Sequence, residues 1–488
     1  MHTKDLRRRN QMQNRRMDKT IPAPQIFKHF QRYVRMNLEM FINALFLSLV
    51  STLTFGNQRI LFFLMTFFFL FAIELLICET AIVKNRFFLL HRNYRITFYS
   101  VLLFQCTLNT LVGFSMGHLS VTVFLGVAMV AILFGKRAGH AAAIFIAFHA
   151  GILFPSSAPY ILFLLLTGVA TASVVQDINR RIDLALYSFL LGAVKGAFFL
   201  LLMYAGLERF LLMDLLVVSI LPPISSVLVV GILPYVEWGS RIYSNIGLME
   251  LGNLNQPLLK SLLENAPGTY YHSFMLANLS EAAAEKIGVN PILARTGAYF
   301  HDIGKIKKPL FFVENQTDEN PHDLLAPNLS HLVLQEHIRY GVELCEKYRL
   351  PLLFQDLAAQ HHGTRVQKFF YNKAKAADLS VTEEQYRYLG PRPKFKEAGI
   401  LMLADSVEAA ARSIQNPSIQ KIKEVVNDII NGIYLERQLD DSGLTLKDIE
   451  IIIEEFIRVL HKFSHKRIEY PKEEIELMIG KKGGKENG

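Results

Sequence analysis

Between residues 37 and 236 the chain is a succession of apolar stretches separated by short polar loops. Most stretches are about long enough to cross a lipid bilayer as a helix, and a bilayer excludes backbone whose hydrogen bonds are unpaired. Such a series of apolar stretches does not suit the core of a soluble protein. The fourth and fifth stretches are short, which favours re-entrant or tilted geometry there. The sequence predicts spans near residues 38–56, 61–83, 98–117, 121–135, 141–154, 159–176, 189–207 and 215–235.

The loop charges predict how these spans are oriented. Basic residues occur at every second connection, within residues 84–95, 136–137 and 180–181, and the arm over residues 1–36 has ten Lys and Arg against two Asp, a net charge of +8. Because Lys and Arg remain on the cytoplasmic side, both termini are predicted to be cytoplasmic and the span count even, with eight fitting best. A basic arm next to an apolar stretch favours anionic lipid over a nucleic-acid polymer as its partner.

Three ionisable residues lie inside predicted spans: Glu74, His149 and Lys195. Such groups are costly in a membrane and often mark an ion path. These three recur at no matched positions, and Lys195 could extend toward the interface, so transport is not favoured. The three cysteines of the chain are too few and too scattered for a disulfide framework or a thiolate metal site.

After Trp238 the composition changes, because charged residues appear at helical spacing and long apolar stretches stop. Strand-type alternation is absent. The predicted fold class is therefore all-α, with a polytopic helical membrane domain over residues 37–238 and a cytoplasmic α-helical domain over residues 239–479. The low-complexity tail, residues 480–488, is predicted to be disordered.

The stretch AYFHDIGKIKKPL places His301 and Asp302 in an apolar segment. The segment 292–303 predicts a helix that ends near Gly304, and adjacent residues on a helix point about 100° apart, so both side chains can reach one ion only beside a helix end or across a groove. An imidazole and a carboxylate suit a borderline or hard divalent cation. For the dipeptide alone, a buried His–Asp hydrogen bond is the simpler explanation.

Further histidines and a second aspartate lie on apolar helix faces of the same domain. Asp405 falls in the middle of a plainly buried helix, where a lone carboxylate would cost several kcal/mol. One ion rarely takes seven such ligands, whereas two ions that share a carboxylate would use them all. The predicted ligands are His272, His301, Asp302, His337, His361, His362 and Asp405.

The order of these ligands resembles that of the HD-domain metal phosphohydrolases. The flanking segments GAYFHDIGKIKKPLFFVENQ, HHGTRVQKFFYNKA and KEAGILMLADSVEAAARS are similar to those of the bacterial seven-transmembrane HD hydrolases, a family that degrades the second messenger cyclic di-AMP. The likeness is dense over residues 230–472 and architectural in the membrane half. Two features depart from the family: only residues 56–59 separate the first two spans, where a large extracellular domain is usual, and Tyr271 replaces the first of two histidines.

The resemblance implies a phosphodiesterase that opens cyclic di-AMP to linear pApA with a water activated by two metal ions, Mn²⁺ or Fe²⁺. His272, His301, Asp302 and Asp405 would hold one ion, and Asp302 would bridge to a second held by His337, His361 and His362. Asp302 and Lys305 would be the catalytic residues, and Lys305 would stabilise phosphate charge or assist the leaving oxygen, with a solvated surface lysine as an equal alternative. Arg412 is a weaker candidate for substrate binding.

Other functions remain open at this point. The domain could act on cyclic di-GMP or an alarmone, or be a catalytically silent membrane receptor or scaffold. The absence of a Gly-Tyr-Pro stretch after His362 weakens the cyclic di-GMP alternative, and the complete ligand set weakens the silent one. The sequence does not decide between adenine and guanine, nor the metal, the membrane signal or whether the chain forms a homo-oligomer.

Overall fold

The computed structural model describes residues 38, 40–53, 59–77, 86–154, 158–176, 178–206, 212–316, 319–414 and 417–464. The basic arm and the predicted tail lie outside the described residues. The described part is helical and contains no strand, only an isolated bridge between Val366 and Arg387. The all-α prediction is therefore confirmed. The chain divides into two compact units, residues 1–233 and residues 234–488.

In the first unit, each of the eight predicted spans overlaps one described helix of eleven residues or more. Helices α4, α8 and α9 are long and apolar enough to cross a membrane, and α1, α5, α7 and part of α2 are shorter apolar helices. The helices are α1 (Met40–Leu53), α2 (Arg59–Ile77), α3 (Arg86–Leu90), α4 (Arg92–Met116), α5 (Phe124–Phe134), α6 (Lys136–Leu153), α7 (Ala158–Val175), α8 (Arg181–Tyr204) and α9 (Leu212–Ser240).

Helix α5 is the short fourth span, and every one of its residues is buried. It rises about 16 Å, roughly half the thickness of a bilayer core, and ends where Gly135 adopts a φ of 88°. A buried amide secures its start: Gln105 Nε2 donates to Thr122 O at 2.8 Å, and Gln105 Oε1 accepts from the Gly126 amide at 2.8 Å. The pairing of these polar groups is what an apolar surrounding requires.

The ionisable residues of the predicted spans have different surroundings. His149 is buried, with Nε2 3.4 Å from Ser51 Oγ. Lys195 is also buried. The side chain of Glu74 lies outside the described residues.

In the second unit, α12 packs against α13, α17 and α19, and α14 packs against α15. Leu276, Phe354, Met402 and Phe456 are among the fully buried side chains of this core. The helices are α10 (Asn245–Leu251), α11 (Pro257–Asn265), α12 (Pro267–Lys286), α13 (Pro291–Phe300), α14 (Pro327–Lys347), α15 (Leu352–Gln360), α16 (Lys368–Ala377), α17 (Lys396–Arg412), α18 (Ile419–Leu435) and α19 (Leu446–Ser464). Short 3₁₀ helices lie at Ile303–Lys307, Pro309–Phe311, Val313–Asn315, Pro321–Leu324 and Glu383–Tyr386.

Arg241 holds the connection between α14 and α15. Its buried guanidinium donates to Leu350 O at 2.9 Å and to Gln355 Oε1 at 3.1 Å. Since His337 lies on α14 and His361 directly follows α15, this contact helps to fix the two helices that supply these side chains.

Candidate metal centre

The His-Asp pair lies where one helix type changes into another. Helix α13 ends at Phe300, three residues before the predicted end, and a 3₁₀ helix begins at Ile303. Asp302, between them, has φ −111° and ψ 16°, outside the α-helical region. The two side chains therefore converge, with His301 Nε2 3.2 Å from Asp302 Oδ2. This corrects the predicted helix boundary and provides the helix end that the pair requires.

Gly304 brings this turn against α14. A Cβ at Gly304 would lie 1.8 Å from the carbonyl oxygen of His337 and 2.6 Å from the Gly341 amide nitrogen, so only glycine allows the two backbones to approach this closely. The approach places Asp302 beside α14, where its Oδ1 lies 3.4 Å from His337 Nε2.

Three histidines of the site share one local arrangement. His301 Nδ1 donates to Ala298 O at 2.8 Å, His361 Nδ1 to Ala358 O at 2.9 Å, and His337 Nδ1 to Leu334 O. A carbonyl can only accept, so Nδ1 carries the hydrogen and Nε2 is presented to the site. A hydrogen bond of this kind fixes the tautomer and ring orientation that metal-binding histidines need.

His272 is held by two carboxylates of α17. Its Nε2 lies 3.0 Å from Asp405 Oδ1, and its Nδ1 donates to Glu408 Oε2. Burial alone would lower the pKa of His272, but the hydrogen bonds and charges of Asp405 and Glu408 raise this pKa to about 9. Burial likewise opposes ionisation of Asp405, yet His272 and its neighbours hold the pKa of this carboxyl well below its usual range.

His362 lies against Asp405 and Tyr388. Its Nδ1 lies 3.7 Å from Asp405 Oδ2, and its ring stacks on Tyr388 with the ring centroids 4.4 Å apart. Burial lowers the pKa of His362, and burial lowers the pKa of His337 to about 3. These imidazoles are therefore neutral at physiological pH, the form that coordinates a cation.

The predicted ligands thus converge on one buried site that could hold metal ions. Three sets have their ligand atoms within 4.8 Å of one another: His337, His361 and His362; His272, His301 and Asp405; His301, Asp302 and His361. Asp302 Oδ1 and His301 Nε2 are buried without a hydrogen-bond partner among the described residues. Burying polar atoms without a partner costs free energy unless a bound ligand pairs with them. Helices α13 and α15 also end here, with His301 and His361 as their C-cap residues, and helix C-termini favour cations.

Lys305 is buried in the site and is not a solvated surface lysine. Its Nζ lies 2.6 Å from Asp302 Oδ2 and 2.8 Å from Glu314 Oε1. Burial alone would lower the pKa of Lys305, but Asp302 and Glu314 raise it above its usual value. Thr269 Oγ1 also donates to Glu314 at 2.9 Å, which ties the polar loop around Glu314 to the start of α12.

Arg412, the weaker candidate for substrate binding, lies beside Glu408 and His272 and is partly exposed. Its guanidinium bonds Glu408 Oε2 at 2.5 Å and lies 2.9 Å from His272 Nδ1, while 42% of its side chain is exposed. It therefore contacts the site at both Glu408 and His272. Tyr271, at the position where the family differs, is exposed.

Three residues that the sequence did not predict contact the site: Glu408 contacts His272, Glu314 contacts Lys305, and Tyr388 contacts His362. Glu408 follows Asp405 by three residues, so helical spacing could have identified it. Glu314 lies in a short 3₁₀ helix and Tyr388 in an irregular segment, and the path of both segments depends on tertiary packing.

Two family models match the chain. The 7TM receptor with intracellular HD hydrolase matches residues 60–244, and the HD domain matches residues 269–410. The first range covers α2 and α4 to α9, the seven described helices of eleven residues or more in that range, and α1 precedes it. The second range includes every predicted ligand.

The chain belongs to the family of 7TM receptors with an intracellular HD hydrolase. The predicted family is confirmed, and this family member is a membrane protein. Curated relatives include two proteins named cyclic-di-AMP phosphodiesterase PgpH. The one from Bacillus subtilis is 47% identical over 248 residues, which are 51% of this chain and 35% of the relative. The one from Listeria monocytogenes is 38% identical over 347 residues, 70% of this chain and 48% of the relative.

This family member therefore spans between about a third and a half of the length of these relatives. Among solved structures, the HD domain of the L. monocytogenes phosphodiesterase PgpH in complex with cyclic-di-AMP is 46% identical. The aligned region covers 44% of this chain and 100% of the solved chain, with a TM-score of 0.42.

Proposed function

We propose that this chain is a membrane-anchored, metal-dependent phosphodiesterase that hydrolyses cyclic di-AMP to linear pApA. The observation that carries the proposal is the convergence of seven predicted ligands around two orphaned buried atoms, His301 Nε2 and Asp302 Oδ1. The names of the two relatives support cyclic di-AMP as the substrate.

The donor set fits two divalent cations, Mn²⁺ or Fe²⁺. His272, His301, Asp302 and Asp405 would hold one, and Asp302, His337, His361 and His362 would hold the other. Asp302 suits a bridging role because its Oδ2 faces His301 while its Oδ1 faces His337 and His361. When bound, such a pair of ions supplies an activated water and charge stabilisation for an in-line phosphoryl displacement.

The side chains of this chain would orient the substrate and balance its charge. The Lys305 ammonium has three donors, of which Asp302 and Glu314 take two. The third is left for a phosphate oxygen or the leaving oxygen. Arg412, with its partly exposed guanidinium beside Glu408, would meet the more distant phosphate of the ring.

The proposed topology places this chemistry inside the cell. Residues 37–238 would form the membrane domain, residues 239–479 the cytoplasmic hydrolase domain, and residues 1–36 a cytoplasmic arm on anionic lipid. The alternation of basic loops supports this orientation.

The test uses the full chain in detergent, freed of metal and then supplied with Mn²⁺ or Fe²⁺. We expect cyclic di-AMP to yield pApA only with metal, faster than cyclic di-GMP is cleaved, and Asp302→Asn to lose several orders of magnitude in kcat. Asp323→Asn is the matched control, because that carboxylate is 70% exposed. Binding of cyclic di-AMP without turnover would instead indicate a silent receptor, and faster cleavage of cyclic di-GMP would reassign the substrate.

A further inference from the structure

The membrane unit contains a cavity of about 120 Å³ between α7, α8, α9 and the start of α5. Its lining is apolar apart from Lys195 and three threonines, Thr122, Thr167 and Thr171. The volume is close to that of dry protein cavities that accept a benzene ring. The cavity therefore has room for a small organic ligand with an apolar body.

Lys195 is directed into this cavity and is only 3% exposed. Its position on α8 is about 21 Å from Arg181 and about 14 Å from Tyr204 along the helix, too far for the ammonium to extend to either end. Its Nζ lies 5.3 Å from the centre of the Phe163 ring, a contact that offsets only part of the cost of burying a cation. Among the described residues, no carboxylate forms an ion pair with it.

The threonines define what the cavity can recognise. Thr167 Oγ1 donates to Leu164 O at 3.0 Å, and Thr171 Oγ1 donates to Thr167 O at 2.8 Å. The hydrogens of these two threonines are used within α7, so they present only acceptor lone pairs, and Thr122 Oγ1 accepts from the Phe124 amide at 3.2 Å. Lys195 is the one cation that the described lining contains.

Close helix packing fixes where Lys195 points. A Cβ at Gly196 would lie 2.3 Å from Ser219 Oγ, and one at Gly192 would lie 2.3 Å from Ser219 O. These glycines bring α8 against α9 on one face, which turns the neighbouring face, with Leu191 and Lys195, to the cavity. The packing of these two helices therefore sets the position of the ammonium in the cavity.

We propose that this cavity binds a small hydrophobic carboxylate, whose carboxylate pairs with Lys195 and whose body lies against Leu166, Leu191 and Phe198. An ion pair in a surrounding of low dielectric is strong, and either charge alone is costly there. Both a short-chain fatty acid and an aromatic acid have this chemistry. The site is in the membrane unit and is independent of the proposed phosphodiesterase activity.

The test measures ligand-induced thermal stabilisation of the full chain in phosphatidylcholine nanodiscs. We expect hexanoate or benzoate to raise the Tm saturably, while hexanol and benzyl alcohol, which have the same bodies without the charge, do not. The acid that binds more tightly shows whether the cavity prefers an aliphatic or an aromatic ligand. Lys195→Met should weaken binding of the acid at least about tenfold, and Lys286→Met, at an exposed position, should leave it unchanged.

Equal stabilisation by acids and alcohols would overturn the proposal, because the cavity would then hold a neutral lysine and recognise shape alone. Unchanged acid binding in Lys195→Met would also overturn it. If Lys195→Met does not fold, Ala170→Leu fills the cavity from α7 and leaves the ammonium in place. Loss of acid binding in that variant supports the site, and full retention of binding contradicts it.

Discussion

The ammonium of Lys305 lies 2.6 Å from the Oδ2 atom of Asp302, the carboxylate that both proposed metal-ligand sets share. Burial alone would raise the pKa of Asp302, but the charges of His301 and Lys305 hold this pKa well below its usual range. Glu314 lies on the other side of the ammonium. In the metal-free protein, Lys305 is thus the fixed positive charge between two buried carboxylates.

Lys305→Met should therefore destabilise the metal-free protein more than the metal-loaded one. The substitution leaves Asp302 and Glu314 unpaired, which for buried ion pairs costs about 3–5 kcal/mol. Bound cations would compensate Asp302 in the loaded protein. The measurement is the Tm of wild type and variant, each with Mn²⁺ and with chelator.

Lys307→Met is the matched control for this prediction. Lys307 pairs with Glu336 at 2.8 Å, but its side chain is 41% exposed, and exposed ion pairs contribute under about 1 kcal/mol. Its Tm should change little in either state. Equal loss of Tm in Lys305→Met with and without metal would contradict a role for Lys305 in balancing the empty site.

Helical periodicity could predict the ligands that lie on helix faces. His272 and Asp405 each lie within a helix whose neighbouring apolar residues are buried, and the apolar neighbours of His337, Leu334 and Ile338, are partly buried, so helical spacing predicted which face turns inward. The turn at His301 and Asp302 was not, because it depends on the contact of Gly304 with the backbone of α14. That contact joins segments more than thirty residues apart, and no local propensity specifies it.

The surroundings of Lys305 could be predicted only in part, for the same reason. Spacing placed it near His301, but its burial depends on Glu314, which Thr269 holds from another helix. In the membrane unit, hydropathy predicted where helices lie, since the bilayer imposes that pattern. It could not predict the Lys195 cavity, which depends on the packing of four separate segments.

Glu408→Gln should weaken metal binding without unfolding the protein. Glu408 accepts the Nδ1 hydrogen of His272, and a neutral amide is a poorer partner that can also present its NH₂ to the imidazole. Loss of such outer carboxylates typically costs about 10–100-fold in metal affinity. A competition titration with a fluorescent chelator measures the change.

Glu455→Gln is the comparison for Glu408→Gln. Glu455 is also buried and pairs with an arginine on its own helix, Arg458, at 2.6 Å, but it is not among the residues in contact with the predicted ligands. The metal affinity of Glu455→Gln should match that of the wild type. If both variants bind metal as tightly as wild type does, Glu408 does not orient His272.

Gly304→Ala should abolish metal binding and destabilise the second unit. The new Cβ would lie 1.8 Å from His337 O, so the turn must move away from α14 and separate Asp302 from His337. Gly432→Ala, in α18, meets no atom within 4 Å and should raise stability by about 0.5–1 kcal/mol through helix propensity. Metal titration measures the loss of metal binding, and the Tm measures the change in stability. Normal metal affinity in Gly304→Ala would disprove the close approach of the Gly304 turn to α14.

Glu397, in the first turn of α17, is a buried carboxylate away from the metal site. Its Oε1 accepts from the Asn290 amide at 3.1 Å, and burial raises its pKa above the usual value. The folded protein therefore binds this proton more tightly than the unfolded chain. The resulting loss of stability is absent below the unfolded pKa of about 4.3, grows as pH rises, and is complete above the folded pKa.

Glu397→Gln keeps an acceptor for the Asn290 amide and removes the charge. We expect the variant to have a higher Tm than wild type at pH 8, and the difference to shrink toward zero as pH falls to about 4. Glu424→Gln, at an exposed position on α18, should differ from wild type by little at either pH. A difference that stays constant from pH 4 to pH 8 would show that the amide acts through packing, because only a titrating carboxylate makes the difference depend on pH.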